Sequence, residues 1–144
     1  MLERLHEHLV NELGNSSRKD TFFIVVALLF NLIVLGINVG VSSSAASSGT
    51  YYSTYNLADD VVLAVFIVMI LLVNAIAVAG LYVGYQTRGK LLAGLINMYA
   101  DNQVDKYYDR SLISNNGTRY LLFGAMIILL ALTAIVVPII IRLL

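Results

Sequence analysis

Three long apolar segments dominate the pattern of hydrophobic and polar positions along the chain. They cover residues 21–41, 61–85 and 120–141, and none of them contains Asp, Glu, Lys, Arg or His. Each is long enough for the roughly 20 apolar residues that a helix needs to cross a bilayer core. The pattern therefore predicts an all-α integral membrane protein with transmembrane helices 1, 2 and 3 over these ranges.

An amphipathic helix is predicted before the first span, over residues 1–14. Leucines recur there at helical spacing, with charged residues on the opposite face. Gly14 follows the last leucine and favours the end of this helix. The leucines are Leu2, Leu5, Leu9 and Leu13.

A second amphipathic stretch lies in residues 86–118, between spans 2 and 3. Leu91, Leu95 and Met98 share one helical face and form an apolar stripe that requires burial. This pattern predicts a helical loop that contains a short helix, starting after a bend near Gly89.

Basic residues predict the orientation of the chain. They lie before span 1 and between spans 2 and 3, and the Ser/Tyr-rich loop over residues 42–60 has none. Because Lys and Arg accumulate in cytoplasmic loops, we expect a multi-pass protein of the cell membrane with a cytoplasmic N-terminus. Segments 1–14 and 86–118 are then cytoplasmic, and loop 42–60 and the C-terminus face outward. Arg142 is the exception to this distribution.

Composition agrees with a membrane location and narrows the chemistry. The chain is 59% hydrophobic and 12% charged, whereas soluble domains carry about 25% charged residues. It has no cysteine and a formal net charge of zero. These features argue against disulfides, thiolate metal sites and electrostatic attraction to nucleic acid. We expect the bilayer as a partner, no nucleic acid and no cofactor.

Polar side chains inside the predicted spans are the candidate functional residues. Asn31 lies near the middle of span 1 and Asn74 near the middle of span 2, so antiparallel neighbours would bring the two amides to one depth. Asn38 lies on nearly the same face as Asn31, and Thr133 is near the middle of span 3. Such groups either bond helices together or line a pore. Both interpretations remain open at this point.

Small residues predict close helix packing in all three spans. Gly36 and Gly40 form a G-x-x-x-G pair in span 1, and Gly80 and Gly84 form another in span 2. Gly124 begins a stripe of small residues in span 3. Such spacing lets helix backbones approach each other closely. Span 1 thus offers a glycine face as well as an asparagine face, which favours oligomerisation.

Two acidic features allow a structural and a functional interpretation. Asp59 and Asp60, at the start of span 2, favour a helix N-terminus or form an outer acidic mouth of a pore. Residues 101–112 resemble a calcium loop in part. Lys106 replaces its essential glycine and Leu112 its bidentate glutamate, so no metal site is predicted. We expect Asp101, Asp105 and Asp109 to form a helical column on a solvated or docking face instead.

The sequence offers little catalytic chemistry, since no Asp, Glu, His, Lys or Arg lies within a span and no phosphate loop or zinc motif occurs. We therefore expect no enzyme and no catalytic residues. The leading hypothesis is a non-catalytic accessory or scaffold subunit of an oligomeric membrane complex, associating with itself or with other membrane subunits. The alternative is a homo-oligomeric ion channel or pore with a path lined by Asn and Thr.

Overall fold

Three long α-helices make up almost all of the chain that the structure describes. A computed structural model covers residues 1–47, 57–104, 106 and 111–143, without the side chains of 45–47, 57, 111–114 and 142. Helix α1 spans Leu2–Ser47, α2 spans Leu57–Asp101 and α3 spans Ser111–Leu143. Each helix contains a segment long and apolar enough to cross a membrane. The predicted all-α class, with three helices long and apolar enough to span a membrane, is confirmed.

The helices are longer than the predicted spans. Helix α1 has 46 residues, and at 1.5 Å per residue this corresponds to about 69 Å. It runs through Gly14, where the sequence analysis expected a helix to end, and α2 runs through Gly89. An exposed glycine inside a helix costs only about 1 kcal/mol relative to alanine, which long helices tolerate. Segment 1–14 is therefore not a separate helix.

The loops are shorter than the sequence analysis predicted. Helix α1 continues to Ser47 and α2 starts at Leu57, so both ends of the predicted loop 42–60 are helical. Helix α3 starts at Ser111 and includes the end of the predicted loop 86–118. Helix α2 ends at Asp101, and Gln103 follows with a φ of 58°. Asp105 and Asp109 lie outside the described residues, as do residues 48–56.

The chain divides into two compact units. Unit 1 comprises Met1–Ile24 and Val78–Gly124, and unit 2 comprises Val25–Ala77 and Ala125–Leu144. Helices α1 and α3 therefore contribute their N-terminal parts to unit 1 and their C-terminal parts to unit 2. Helix α2 contributes its N-terminal part to unit 2 and its C-terminal part to unit 1.

Buried residues recur along α1 at alternating steps of four and three. This is the heptad spacing of left-handed helix packing, in which side chains of one helix fit between those of the next. Most other apolar side chains point outward, including Phe22 and Leu121, which are 66% and 70% exposed. The buried series in α1 is Asp20, Ile24, Ala27, Asn31, Val34 and Asn38.

In unit 2, one small apolar cluster joins the three helices. Val34 of α1, Ile70 of α2 and Ala134 of α3 form its centre, and each is at most 2% exposed. Phe30 and Phe66 pack against it. In unit 1, Leu92 and Leu95 are buried. The apolar stripe that the sequence analysis found in residues 91–98 thus lies partly in the interior of unit 1.

Candidate functional site

Among the side chains that the structure describes, six polar ones are buried, and these are the candidate functional groups. A polar group removed from water costs free energy unless it forms hydrogen bonds, so each of them must find partners or leave polar atoms unpaired. They are Asp20, Asn31, Asn38, Ser42, Asn74 and Asn116.

Asn31 and Asn74 form a reciprocal amide pair in the interior of unit 2. Nδ2 of Asn31 donates to Oδ1 of Asn74 at 2.8 Å, and Nδ2 of Asn74 donates to Oδ1 of Asn31 at 2.8 Å. Asn74 Nδ2 also donates to the carbonyl of Ile70 at 2.7 Å. The structure thus brings together two of the predicted site residues, and the two amides satisfy each other.

Asn38 and Ser42 lie one helical turn apart on α1, also in unit 2. Asn38 is 0% exposed and Ser42 is 1% exposed. Nδ2 and Oδ1 of Asn38 and Oγ of Ser42 have no hydrogen-bond partner in the part of the chain that the structure describes. Asn38 therefore differs from Asn31, although both side chains are on the buried face of α1.

Asp20 is the centre of a polar group in unit 1. Asp20 is 7% exposed, and its carboxylate accepts a hydrogen bond from the hydroxyl of Tyr120. Gly84 of α2 faces the same carboxylate so closely that a Cβ at position 84 would collide with it. The absence of a side chain at Gly84 is therefore what makes room for a buried carboxylate between α1 and α2.

Arg88 and Tyr85 of α2 complete this polar group. Arg88 lies near enough to act electrostatically on the Tyr120 hydroxyl, which also donates to Asp20. Arg88 Nε is buried without a hydrogen-bond partner among the described residues. The rings of Tyr85 and Tyr120 pack edge to face, with centroids 5.7 Å apart. All three helices thus contribute to the arrangement, which holds Asp20 in place by hydrogen bonding and ring packing.

The predicted glycine contacts fall into two groups. A Cβ built on Gly80 would lie 3.3 Å from the ring of Phe23. Gly84 faces Asp20, so both glycines belong to close helix contacts inside unit 1. Gly36 and Gly40 of unit 2 are exposed, and no described residue lies within 4 Å of a Cβ built on either of them. Gly124 is half-buried and likewise has no such neighbour.

The other predicted residues lie apart from these contacts. Thr133 is exposed, and its hydroxyl donates to the carbonyl of Leu129 in its own helix at 2.9 Å. It does not join Asn31 and Asn74. Asp59 and Asp60 are half-buried in the first turn of α2, the position that a helix N-terminal role requires.

At the far end of unit 1, His6 of α1 contacts Tyr99 of α2. His6 Nε2 and the Tyr99 hydroxyl are 2.8 Å apart, and the ring centroids are 5.7 Å apart. An open cavity of about 360 Å³ lies beside them, with Leu2 and Met98 among its apolar lining. This contact joins the start of α1 to the end of α2.

Asp20, Tyr120 and Arg88 were not singled out from the sequence. Asp20 directly precedes the predicted span 1, and Tyr120 is the first residue of the predicted span 3. A signal was nevertheless present, because Asp20 is in heptad register with Ile24, Ala27 and Asn31.

Comparisons with known proteins give no match: no family model, no curated protein and no solved structure resembles this chain.

Proposed function

We propose that this chain is a non-catalytic accessory or scaffold subunit of an oligomeric membrane complex. In this proposal the three helices cross the cell membrane, with the N-terminus in the cytoplasm and the C-terminus outside. The distribution of Lys and Arg supports this orientation. The partner is a second copy of this chain or another membrane subunit.

The main support is the uncovered glycine pair of α1. Gly36 and Gly40 lie on an exposed face with open space over both Cα atoms. In contrast, Gly80 and Gly84 are covered by Phe23 and Asp20 within the same unit. Since small residues four apart let membrane helices associate closely, the open pair is suited to a helix of another subunit.

The asparagine pair supports a structural role over a conducting one. The amides of Asn31 and Asn74 form hydrogen bonds to each other in the interior of unit 2. A pore lining would instead present such groups to a water-filled path. Thr133 is bonded to its own helix. The channel alternative therefore receives no support from these three side chains.

Native mass spectrometry of the tagged chain, extracted from its own membrane in mild detergent, tests the proposal. We expect complexes that contain this chain together with other polypeptides, or further copies of itself, in a constant ratio. A monomer in all mild detergents would contradict the scaffold role. A closed ring of this chain alone that conducts ions in bilayers would replace it with the channel alternative.

Substitutions at the glycine pair test the surface itself. Gly36→Leu with Gly40→Leu fills the open face, and we expect the complex to dissociate while the monomer keeps its helical content. Ala75→Leu is the matched control, because Ala75 is also exposed in unit 2 but lies on α2. If both variants retain the complex equally, the glycine face is not the interface.

A further inference from the structure

We propose that Asn38, Ser42 and the backbone carbonyl of Ala134 bind a buried water molecule in unit 2. This inference does not depend on oligomerisation, because all three groups belong to the interior of one chain.

The first observation is a cluster of unpaired polar atoms in a closed interior. Asn38 is 0% exposed and Ser42 is 1% exposed. Three of their side-chain atoms, Nδ2, Oδ1 and Oγ, have no hydrogen-bond partner among the residues that the structure describes. Because the two residues are four apart on one helix, their side chains lie on the same face. Buried groups of this kind are normally satisfied by protein or by ordered water.

The second observation is a carbonyl left without its helical donor. Proline has no N–H, so Pro138 cannot donate to the carbonyl of Ala134. Pro138 is fully buried and Ala134 is 0% exposed. The Ala134 carbonyl is therefore another acceptor that needs a partner inside unit 2.

The helix register brings these groups to one level. Helices α1 and α3 enter unit 2 at Val25 and Ala125, in the same chain direction. Val34 and Ala134 are the tenth residues of these two segments, and both belong to the apolar cluster. One helical turn further along each helix are Asn38 and Pro138, both buried. The carbonyl of residue 134 points along α3 toward position 138, and hence toward the level of Asn38.

The chemistry of the set fits water better than a cation. A cation requires oxygen ligands, and Asn38 Nδ2 is a donor that a cation would leave unpaired. A water molecule can accept from Nδ2 or from the Ser42 hydroxyl and donate to Oδ1 or to the Ala134 carbonyl. A buried water typically has two to four polar partners, and these three groups would supply that number.

Asn31 and Asn74 provide an internal comparison. They are buried in the same unit, but their amides already bond to each other. We therefore expect water contact at Asn38 and none at Asn74, although both are asparagine side chains in one apolar interior.

Water-edited solid-state NMR of the full-length chain, labelled with 15N-asparagine and reconstituted in bilayers, tests this assignment. We expect magnetisation transfer from water to the Asn38 side-chain amide, and none to that of Asn74. The signals are assigned by their loss in Asn38→Ala and Asn74→Ala. No transfer at Asn38, or equal transfer at both residues, would overturn the proposal. A shift of the Asn38 signal when choline replaces sodium and potassium would overturn it in favour of a cation.

Thermal unfolding of Asn38→Leu gives a second, independent readout. If water is bound, the substitution removes one of its hydrogen-bond partners. Ser42 and the Ala134 carbonyl then lack some of their hydrogen bonds, so we expect a lower melting temperature. In a dry site the same substitution removes two unpaired polar atoms and raises the melting temperature. An unchanged or higher value would thus overturn the proposal even if the NMR signals overlapped.

Discussion

At the residue scale, the buried polar side chains satisfy their hydrogen bonds in different ways. Asn31 and Asn74 pair with each other across two helices, and Asp20 accepts from Tyr120. Asn38 keeps both of its polar atoms unpaired within the described chain. Because an unpaired buried group costs more than a pair contributes, the effect of each substitution depends on what remains behind.

The Asn31–Asn74 pair should show this asymmetry in a double-mutant cycle. Asn31→Leu alone leaves Asn74 Oδ1 without its donor, although Nδ2 keeps its bond to the Ile70 carbonyl. We expect a loss of about 1–3 kcal/mol in the free energy of unfolding. The double variant Asn31→Leu with Asn74→Leu removes both amides and should lose less than the sum of the single changes. Measured coupling energies between membrane helices are about 0.6 kcal/mol on average. Additive effects, measured by unfolding in mixed detergent, would mean that the two side chains do not interact.

Gly84 should tolerate no side chain while Asp20 is present. In Gly84→Ala the new Cβ would collide with the Asp20 carboxylate, and we expect a loss of about 1–3 kcal/mol, as for other overpacked interiors. Thermal unfolding followed by circular dichroism measures it. The control is Gly124→Ala, which has no neighbour within 4 Å of the new Cβ and should be neutral or stabilising. Equal behaviour of the two variants would contradict the close contact.

At the element scale, the main finding is that two of the three helices are continuous over 46 and 45 residues. The apolar centres of all three helices were predictable, because composition alone reveals a bilayer-length segment. Their continuation was not predictable in the same way. Gly14 and Gly89 resemble helix ends in sequence, and only tertiary contacts on either side decide whether the helix continues.

Gly14→Ala distinguishes a continuous helix from one that ends at this residue. No described glycine has a positive φ, and Gly14 has no neighbour within 4 Å of a Cβ. Alanine should therefore stabilise the chain by about 0.4–1 kcal/mol, since it restricts the unfolded state and favours helix. If the helix instead ended at Gly14 in a left-handed conformation, the same substitution would lower the stability of the chain. Gly94→Ala in α2 is the matched control, with the same expected gain.

At the scale of the whole molecule, buried polar side chains join helices within each unit, while many large apolar side chains are exposed. Both units contain a polar contact that joins helices, the Asp20 group in unit 1 and the Asn31–Asn74 pair in unit 2. The sequence predicted the depth of the asparagines, because position along a span is visible in the chain. It did not reveal the Asp20 group, because the contacts of Asp20 are with Gly84 and Tyr120, far away in the chain.

The proposed orientation is open to direct measurement because the chain has no cysteine. Single cysteines at exposed positions, Lys90→Cys and Ser43→Cys, can be labelled with a membrane-impermeant maleimide in intact cells. We expect labelling at position 43 only, and labelling at position 90 after the membrane is opened. The reverse result would invert the topology, and labelling of both in intact cells would contradict a bilayer-spanning arrangement.

The contact between Gly84 and Asp20 has an evolutionary consequence. The two positions share one volume, so a larger residue at 84 is compatible with the fold only if position 20 becomes smaller. Related sequences should therefore show covariation between these positions, which are 64 residues apart in the chain. No described residue shares such a volume with positions 36 and 40, so covariation there is expected with residues of the proposed partner.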